Sequence, residues 1–528
     1  MKFTYDSSIA HKIQKMKQRV CWQSSTMVER NIDQTRLVID DRDRDNPEFS
    51  FLVLGDSGTG YHRGHRPQRE IAKLLWQNRQ GAKFVLHTGD VVYLVGSSEY
   101  YPENFIEPYR EFIVGGDRPK TITYDKMTFN LPFFPVPGNH DYYDLPLIYG
   151  ILSQATWLLR RLLRTKIDLD VGWHGSHQGE AYAKAFIDYL QDISTPDALG
   201  RHLDKHYNAK TSTGNCLHYQ AGKFTRIPNR YYTFRYGGID FFALDSNTFN
   251  TPSPIPDNAE GDRLRRQLVE RLQTLQAKKQ AIIAASKALD SNDPDDCEEL
   301  DDNNARLEQI EEIEIDIEKR LQSNLDSTTD YEQLHWLQER LIASWGDRDA
   351  RGRVIFFHHP PYVTEATKWD QAQTLEIRAA LRRVFESVVE TVGDLIQNRS
   401  VVDLVINGHA HCLEHLQTED SDRADANIDW IICGGSGYSL RRQRPEGDDI
   451  VETDPEGQSR ITARSRFFLG RYGRGKDKRR PYSALRIDVQ PGDIPQFQVT
   501  PLIAERGRST WHYPQLKSWI LGDAQTTS

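Results

Sequence analysis

Five segments of this 528-residue sequence end in side chains that can bind metal ions. The candidate residues are Asp56, Asp90, Tyr93, Asn139, His140, Asp141, His358, His359, His409 and His411. Together they offer carboxylate, phenol and amide oxygens and imidazole nitrogens, a mixture that suits iron, manganese or zinc. They are too many for one ion, and a shared aspartate can hold two ions about 3.5–4 Å apart, as in two-metal hydrolytic sites. The residues therefore predict a centre for two-metal hydrolysis of phosphate esters.

Each group of candidate ligands follows an apolar run that is typical of a buried strand. The runs lie at 51–54, 84–86, 133–136, 354–357 and 401–406. Apolar runs of this length without polar alternation predict strands buried in a parallel sheet. A helix predicted at 68–77 would join the first two strands in a βαβ unit. Active sites of such sheets lie at the carboxyl ends of the strands, which would bring the candidate ligands to one edge.

The order and spacing of these groups resemble a known family. The motifs are Asp56-x-Gly58, Gly89-Asp90-x-x-Tyr93, Gly138-Asn139-His140-Asp141, Ile355-x-x-His358 and Gly408-His409-x-His411. This set resembles the calcineurin-like metallophosphoesterase superfamily, and it is closest to the purple acid phosphatase branch. Most superfamily members have a histidine where this sequence has Gly58, and the purple branch supplies a tyrosine instead, as Tyr93 does here. The resemblance implies a four-layer αββα sandwich of two mixed sheets flanked by helices.

The resemblance also implies how two ions would be held. The first, an Fe(III), would take the residues matching Asp56, Tyr93 and His411. The second, an Fe(II), Mn(II) or Zn(II), would take those matching Asn139, His358 and His409, and Asp90 would bridge the two. His358 and His359 are adjacent, and we choose His358 from the spacing of the following proline.

The implied activity is hydrolysis of phosphate esters, with monoesters favoured. A metal-bound hydroxide would attack phosphorus in line, and His140 would protonate the leaving group, with Asp141 holding the tautomer of His140. One alternative is a phosphodiesterase acting on nucleotide or lipid phosphodiesters. Another is a catalytically degenerate scaffold that recruits partners, although every ligand position in the sequence is filled.

A loop just after the first ligand carries basic residues. Arg63, His65 and Arg66 lie in the segment from Gly58 to Arg66. An arginine can bind phosphate oxygens through two parallel hydrogen bonds, which makes these residues candidates for substrate contact. The alternative is a solvent-exposed polar loop.

The sequence divides into a phosphoesterase domain and additions to it. We expect a helical and linker segment at 1–48, the metallophosphoesterase domain at 49–503 and a tail at 504–528. A helical cap is expected at 145–229, with a first helix at 145–163. At 257–328, Leu268, Leu275 and Ile282 repeat every seven residues, which predicts a coiled-coil hairpin. We favour a protruding arm for self-association or for a protein partner over a hairpin folded onto its own domain.

Composition bears on the compartment and on the partners. Five scattered cysteines and no apolar leader favour a cytoplasmic protein without disulfides. No apolar stretch is long enough to span a bilayer, but a peripheral membrane contact through the basic helix at 9–20 or through 145–163 is an alternative to packing on the domain. Nucleic acid is not an expected partner, because the formal net charge is −9.

Overall fold

The computed structural model describes most of the chain. The described residues are 6–60, 65–144, 175–290, 294–323, 328–396, 399–420, 423–453, 457–474, 477–507 and 510–521. The helix predicted at 145–163 and Arg63 lie outside these residues.

The α-helices of the described residues are α1 (Ile9–Arg19), α2 (Ser25–Glu29), α3 (Pro67–Gln77), α4 (Glu180–Phe186), α5 (Pro196–His206), α6 (Ala259–Ser286), α7 (Pro294–Gln322), α8 (Tyr331–Gly346) and α9 (Ala372–Val392). The strands are β1 (Ile32–Ile39), β2 (Phe49–Leu54), β3 (Ala82–His87), β4 (Phe133–Pro135), β5 (Ala209–Thr211), β6 (Gly214–Tyr219), β7 (Tyr232–Tyr236), β8 (Ile239–Ala243), β9 (Gly352–Phe357), β10 (Leu404–Asn407), β11 (Leu413–Thr418), β12 (Asp429–Cys433), β13 (Asp449–Thr453), β14 (Ser459–Leu469), β15 (Arg480–Val489), β16 (Phe497–Arg506), β17 (Trp511–His512) and β18 (Trp519–Leu521).

The strands form two mixed sheets. The smaller sheet has the order β17-β16-β15-β2-β3-β4, with β18 also paired to β16, and its β2, β3 and β4 are parallel. The larger sheet has the order β13-β14-β11-β12-β10-β9-β8-β7-β1-β6-β5, with β8, β9, β10 and β12 parallel. The five strands predicted from apolar runs are therefore β2, β3 and β4 in one sheet and β9 and β10 in the other.

The two sheets pack face to face through aromatic side chains. Phe51 and Phe84 of the smaller sheet contact Phe241 of the larger sheet, with ring centroids 5.6 and 5.2 Å apart. Helix α3 packs on the outer side of β15 and β16, and α8 and α9 cover the outer face of the larger sheet. This arrangement confirms the predicted fold class of two mixed sheets flanked by helices.

Several elements differ from the prediction outside the central strands. The segment expected as helix and linker at 1–48 contains β1, which lies inside the larger sheet between β7 and β6. The region expected as a helical cap contributes β5 and β6 to the same sheet. The expected tail contains β17 and β18, which pair with β16.

Helix α1 packs on the domain with its apolar side. Met16 and Val20 are buried in the main core, and Lys12 is buried in an ion pair with Asp6 at 2.6 Å. This contradicts the alternative in which the apolar stripe of the helix lies on a membrane. None of the helices in the described residues combines the length and the apolar character that crossing a bilayer requires.

Helices α6 and α7 form an antiparallel hairpin with its own apolar core. Leu268 and Leu275 of α6 pack with Ile310 and Ile317 of α7. The hairpin does not protrude freely as we expected, because α7 is bound to the domain through ion pairs such as that of Glu312 with Lys368, at 2.7 Å. The folded-back alternative is therefore correct for α7.

Candidate metal centre

The backbone turns sharply where three strands deliver their candidate ligands. Asp56, Asp90 and His409 all have left-handed backbone conformations, with φ of 54°, 55° and 64°. Such values are uncommon for residues other than glycine, and they cluster at functional sites. Gly138 allows a close approach at this edge, since a Cβ there would lie 2.1 Å from Oδ1 of Asp90. The strand ends therefore converge without room for larger side chains.

The first group of donor atoms surrounds the phenol of Tyr93. Its hydroxyl oxygen lies 2.9 Å from Asp56 Oδ1 and 2.8 Å from Asp90 Oδ2, so it can donate its hydrogen to either carboxylate. The same oxygen lies 3.3 Å from His411 Nε2. All four side chains are buried. The structure thus brings together the residues expected at the first ion.

The second group surrounds Nε2 of His358. This nitrogen lies 3.0 Å from Asn139 Oδ1, 3.2 Å from Asp90 Oδ2 and 3.2 Å from His409 Nδ1. The residues expected at the second ion are therefore also together. Asp90 contacts both groups through Oδ2, which is the position required of a bridging carboxylate.

Backbone groups orient the ligands. His358 Nδ1 lies 2.8 Å from the Thr88 carbonyl oxygen, and His411 Nδ1 lies 3.0 Å from that of Ser439. In each case the carbonyl oxygen accepts a hydrogen bond from the Nδ1–H group. The lone pair of Nε2 then faces the cluster, as is usual for metal-binding histidines. Asp56 is fixed in the same way, since its Oδ2 accepts the His409 N–H at 2.9 Å.

The electrostatics of the cluster favour bound cations. Burial raises the pKa of Asp56, and Asp90 raises it further. Burial and the two carboxylates raise the pKa of the Tyr93 phenol well above its usual value. Burial alone would raise the pKa of Asp90, but His358 and His140 together lower it. Anionic oxygens crowded in a buried site gain most from a metal ion, and this mixed donor set fits two.

The structure separates the two adjacent histidines. His359 Nδ1 lies 2.8 Å from the Ser246 hydroxyl, and its ring centroid is 4.4 Å from that of His409. His358, His359 and His409 are close enough to form a three-histidine group of their own. Only His358, however, has a nitrogen against both Asp90 and Asn139. The geometry supports the choice of His358.

His140 lies at the rim of the cluster, but its orientation is not set by Asp141. Nδ1 of His140 lies 2.5 Å from the Leu94 carbonyl oxygen, and Nε2 lies 4.0 Å from Asp90 Oδ2. The Asp141 carboxylate instead accepts the backbone N–H groups of Asp90, Val91 and Gly138. The expectation that Asp141 holds the His140 tautomer is therefore wrong. Leu94 does this, and Asp141 braces the turns that carry the ligands.

The basic loop after Asp56 is described only in part. Arg66 forms an ion pair with Glu107, and the His65 ring lies edge-on to Trp511 with centroids 6.2 Å apart. Arg63 is outside the described residues. Phosphate binding by these three residues stays a prediction.

Some neighbours of the cluster were not predicted from the sequence. Tyr438 stacks on Tyr93 at 3.9 Å between centroids, and Gln373 Nε2 lies 3.3 Å from His409 Nε2. Arg441 follows in the same loop as Tyr438, and its backbone N–H donates to the His411 carbonyl at 2.9 Å. The glycines of the segment 434–437 were the one available signal, since they mark a loop that approaches the ligands closely.

Comparison with known proteins agrees with the motifs. Residues 49–309 match the family model of the calcineurin-like phosphoesterases. This match confirms, over residues 49–309, the resemblance seen in the motifs. The matched region includes Asp56, Asp90, Tyr93 and Asn139 and ends before His358.

The solved structures to which the chain is similar are distant in sequence. One is the purple acid phosphatase PPD1 from yellow lupin (Lupinus luteus) seeds, with a TM-score of 0.37 and 11% identity, covering 90% of this chain and 54% of that chain. Another is GAP50, the anchor in the inner membrane complex of Plasmodium, with a TM-score of 0.34 and 12% identity, covering 89% of both chains. The chain thus spans about half the length of the lupin enzyme. No curated protein matches the sequence significantly.

Proposed function

We propose that this protein is a two-metal hydrolase of phosphate esters, with monoesters favoured as substrates. The observation that carries the proposal is the pair of buried donor groups that share Asp90. Asp56, Tyr93 and His411 would hold one ion, an Fe(III). Asn139, His358 and His409 would hold the other, an Fe(II), Mn(II) or Zn(II).

When bound, two cations lower the pKa of a coordinated water and neutralise charge on the phosphoryl oxygens. The protein supplies the geometry for this chemistry. Thr88 and Ser439 aim the imidazoles through their carbonyl groups, and Asp141 fixes the turns before Val91 and after Gly138. Because these supports are backbone contacts in a buried site, the ligands need little rearrangement during reaction.

His140 would transfer a proton to the leaving group. With Nδ1 hydrogen-bonded to the Leu94 carbonyl, Nε2 is the nitrogen that faces the cluster. Burial lowers the pKa of His140, and the nearby Asp90 carboxylate opposes this effect. A protonated Nε2 would donate to the departing alkoxide, the role of a general acid.

The test is hydrolysis by protein whose metal content has been measured. The full chain is loaded separately with iron, manganese or zinc and assayed with p-nitrophenyl phosphate and bis-p-nitrophenyl phosphate. We expect two metals per chain and faster turnover of the monoester. Faster turnover of the diester would favour the phosphodiesterase alternative. Two bound metals without turnover of either ester, or no bound metal, would contradict the proposal and favour a scaffold.

A further inference from the structure

The hairpin helix α7 faces the domain with charged side chains. Asp302 lies 2.9 Å from Arg471 and 2.8 Å from Lys478. Asp316 accepts the backbone N–H groups of Ala372 and Gln373 at the start of α9. The apolar residues of α7 pack instead against α6. The contact between hairpin and domain therefore includes several charged pairs, while the apolar core of the hairpin lies between α6 and α7.

One of these contacts buries charges beside the metal cluster. Glu312 Oε2 lies 2.7 Å from Lys368 Nζ, and Oε1 lies 3.7 Å from Arg441 Nη2. The side chain of Lys368 is 3% exposed and that of Arg441 is 0% exposed. We call Lys368 and Arg441 the cation pair. Its attraction for Glu312 outweighs burial and lowers the pKa of this carboxyl to about 2.

The cation pair is linked directly to residues of the metal centre. The backbone N–H of Arg441 bonds to the carbonyl of His411, and the neighbouring Ser439 carbonyl orients the ring of His411. Glu312 is close enough to raise the pKa of both His411 and His140 against the stronger effect of burial. The Glu312 carboxylate is thus an anion whose charge acts on residues of the site in which phosphate esters would bind.

The charges at this position match phosphate better than they match a carboxylate. A phosphate monoester carries up to two negative charges, and lysine and arginine are the residues that bind its oxygens most strongly. A second carboxyl, Glu365, lies near the cation pair; burial raises its pKa, and Lys368 opposes this effect. Moving the Glu312 carboxylate away from these two buried cations is costly unless another anion takes its place.

We propose that the cation pair is a subsite for the phosphate group of the substrate, and that the Glu312 carboxylate occupies this subsite when substrate is absent. The inserted hairpin would then compete with substrate through one side chain. The role of this phosphate as part of a substrate rests on the function proposed above. Phosphate binding by the cation pair does not depend on that function.

The test measures binding of inorganic phosphate to the metal-loaded full chain by isothermal titration calorimetry. Glu312→Gln removes the competing charge and should lower the Kd for phosphate by about tenfold, as expected for one charged hydrogen-bonding competitor. Lys368→Met should raise the Kd by about tenfold or more. The control is Glu311→Gln, because Glu311 pairs with Lys279 inside the hairpin at 2.9 Å, and it should leave the Kd unchanged. Weaker or unchanged binding in Glu312→Gln would overturn the proposal.

A structure of the wild-type protein with phosphate gives a second test that requires no variant. We expect phosphate oxygens within about 3 Å of Lys368 Nζ, with the Glu312 side chain turned away. Bound phosphate beside an intact Lys368–Glu312 pair would overturn the proposal. If phosphate binds as expected but neither nitrophenyl ester is hydrolysed, the subsite stands and the proposed function fails. If the esters are hydrolysed while the variants bind phosphate like wild type, the function stands and the subsite fails.

Discussion

At the scale of single residues, Asp90 is the candidate ligand that both donor groups share. Its Oδ2 faces Tyr93 in one donor group and His358 in the other, while its Oδ1 accepts the His140 N–H at 2.8 Å. A carboxylate in this position can bind two ions with one oxygen and hold the following turn with the other. This double role explains why the residue sits in a strained backbone conformation.

Asp90→Asn should remove both metals together. An amide cannot supply the negative charge that two cations share, so we expect neither ion to be retained in any loaded form of the variant. Elemental analysis of the purified variant measures this, with circular dichroism as the control for folding. Loss of only one ion would place the bridge at another residue.

Tyr93→Phe tests the identity of the first ion. If Tyr93 binds Fe(III), charge transfer from phenolate to iron should give the wild-type protein a band in the visible spectrum. The phenylalanine variant should lack this band. A variant with the wild-type spectrum would show that Tyr93 is not the chromophoric ligand. Tyr438→Phe, which keeps the ring stacked on Tyr93, is the matched control.

His140→Gln should slow turnover by about 10²- to 10⁴-fold for substrates with poor leaving groups. The effect should shrink for p-nitrophenyl phosphate, because nitrophenolate leaves without needing a proton. The measurement is kcat for phenyl phosphate and p-nitrophenyl phosphate in both proteins. Equal losses for the two esters would indicate that His140 positions substrate instead of donating a proton.

The motifs predicted the candidate ligands but not all of their supports. The spacing of Gly138, Asn139 and His140 is local, so the sequence alone could place Asn139 and His140 at one strand end. The support for His140 comes from Leu94, whose contribution is a backbone carbonyl that any residue type carries. Asp141 is the carboxylate nearest to His140 in the sequence, and this proximity suggested the wrong partner. Its oxygens accept hydrogen bonds from backbone N–H groups instead.

At the scale of secondary structure elements, the apolar strands were predictable and the polar ones were not. Strands β2 and β9 are buried throughout and consist largely of apolar residues. Strand β1 instead buries Asp33, Gln34 and Thr35. Asp33 can be buried because Arg340 of α8 lies 2.6 Å away. A partner some three hundred residues distant in the chain leaves no local pattern, which is why 1–48 was interpreted as helix and linker.

Strand β11 carries a buried carboxyl that should make stability depend on pH. Burial raises the pKa of Glu414 to about 7, although Thr364 bonds to it. The unfolded chain loses this proton near its ordinary pKa, so Glu414 makes stability fall as the pH rises from about 4.5 to 7. In the Glu414→Gln variant, the free energy of unfolding should fall by up to about 3 kcal/mol less over this pH range than in the wild type.

Urea unfolding at pH 5 and pH 8 measures the effect. We expect the midpoint of the wild type to fall more between these two pH values than that of the variant. Glu446→Gln, at an exposed loop position, is the control and should behave like the wild type. A parallel fall in all three proteins would mean that Glu414 ionises normally in the folded state.

At the scale of the whole molecule, the described residues form three separate clusters of buried apolar side chains. One fills the space between the sheets, a second lies under α8 and α9, and a third belongs to the hairpin. The heptad pattern predicted the third cluster. It could not predict where the hairpin docks, because Glu312 and Asp316 look like solvated residues of a helix surface until Lys368 and the start of α9 are placed opposite them.

The two ends of the hairpin insertion also meet, which affects how the chain folds. Thr251 and Thr328 are 77 positions apart, yet the Thr251 hydroxyl lies 3.2 Å from the Thr328 carbonyl oxygen. Once the hairpin has closed, the effective loop between the parallel neighbours β8 and β9 is shorter. Each halving of loop length lowers the entropic cost of closing the loop by about 0.6 kcal/mol. Since helical contacts form faster than distant strand pairs, we expect α6 and α7 to associate before β9 joins β8. Pulse-labelled hydrogen exchange would then show protected amides in the hairpin ahead of those in β9.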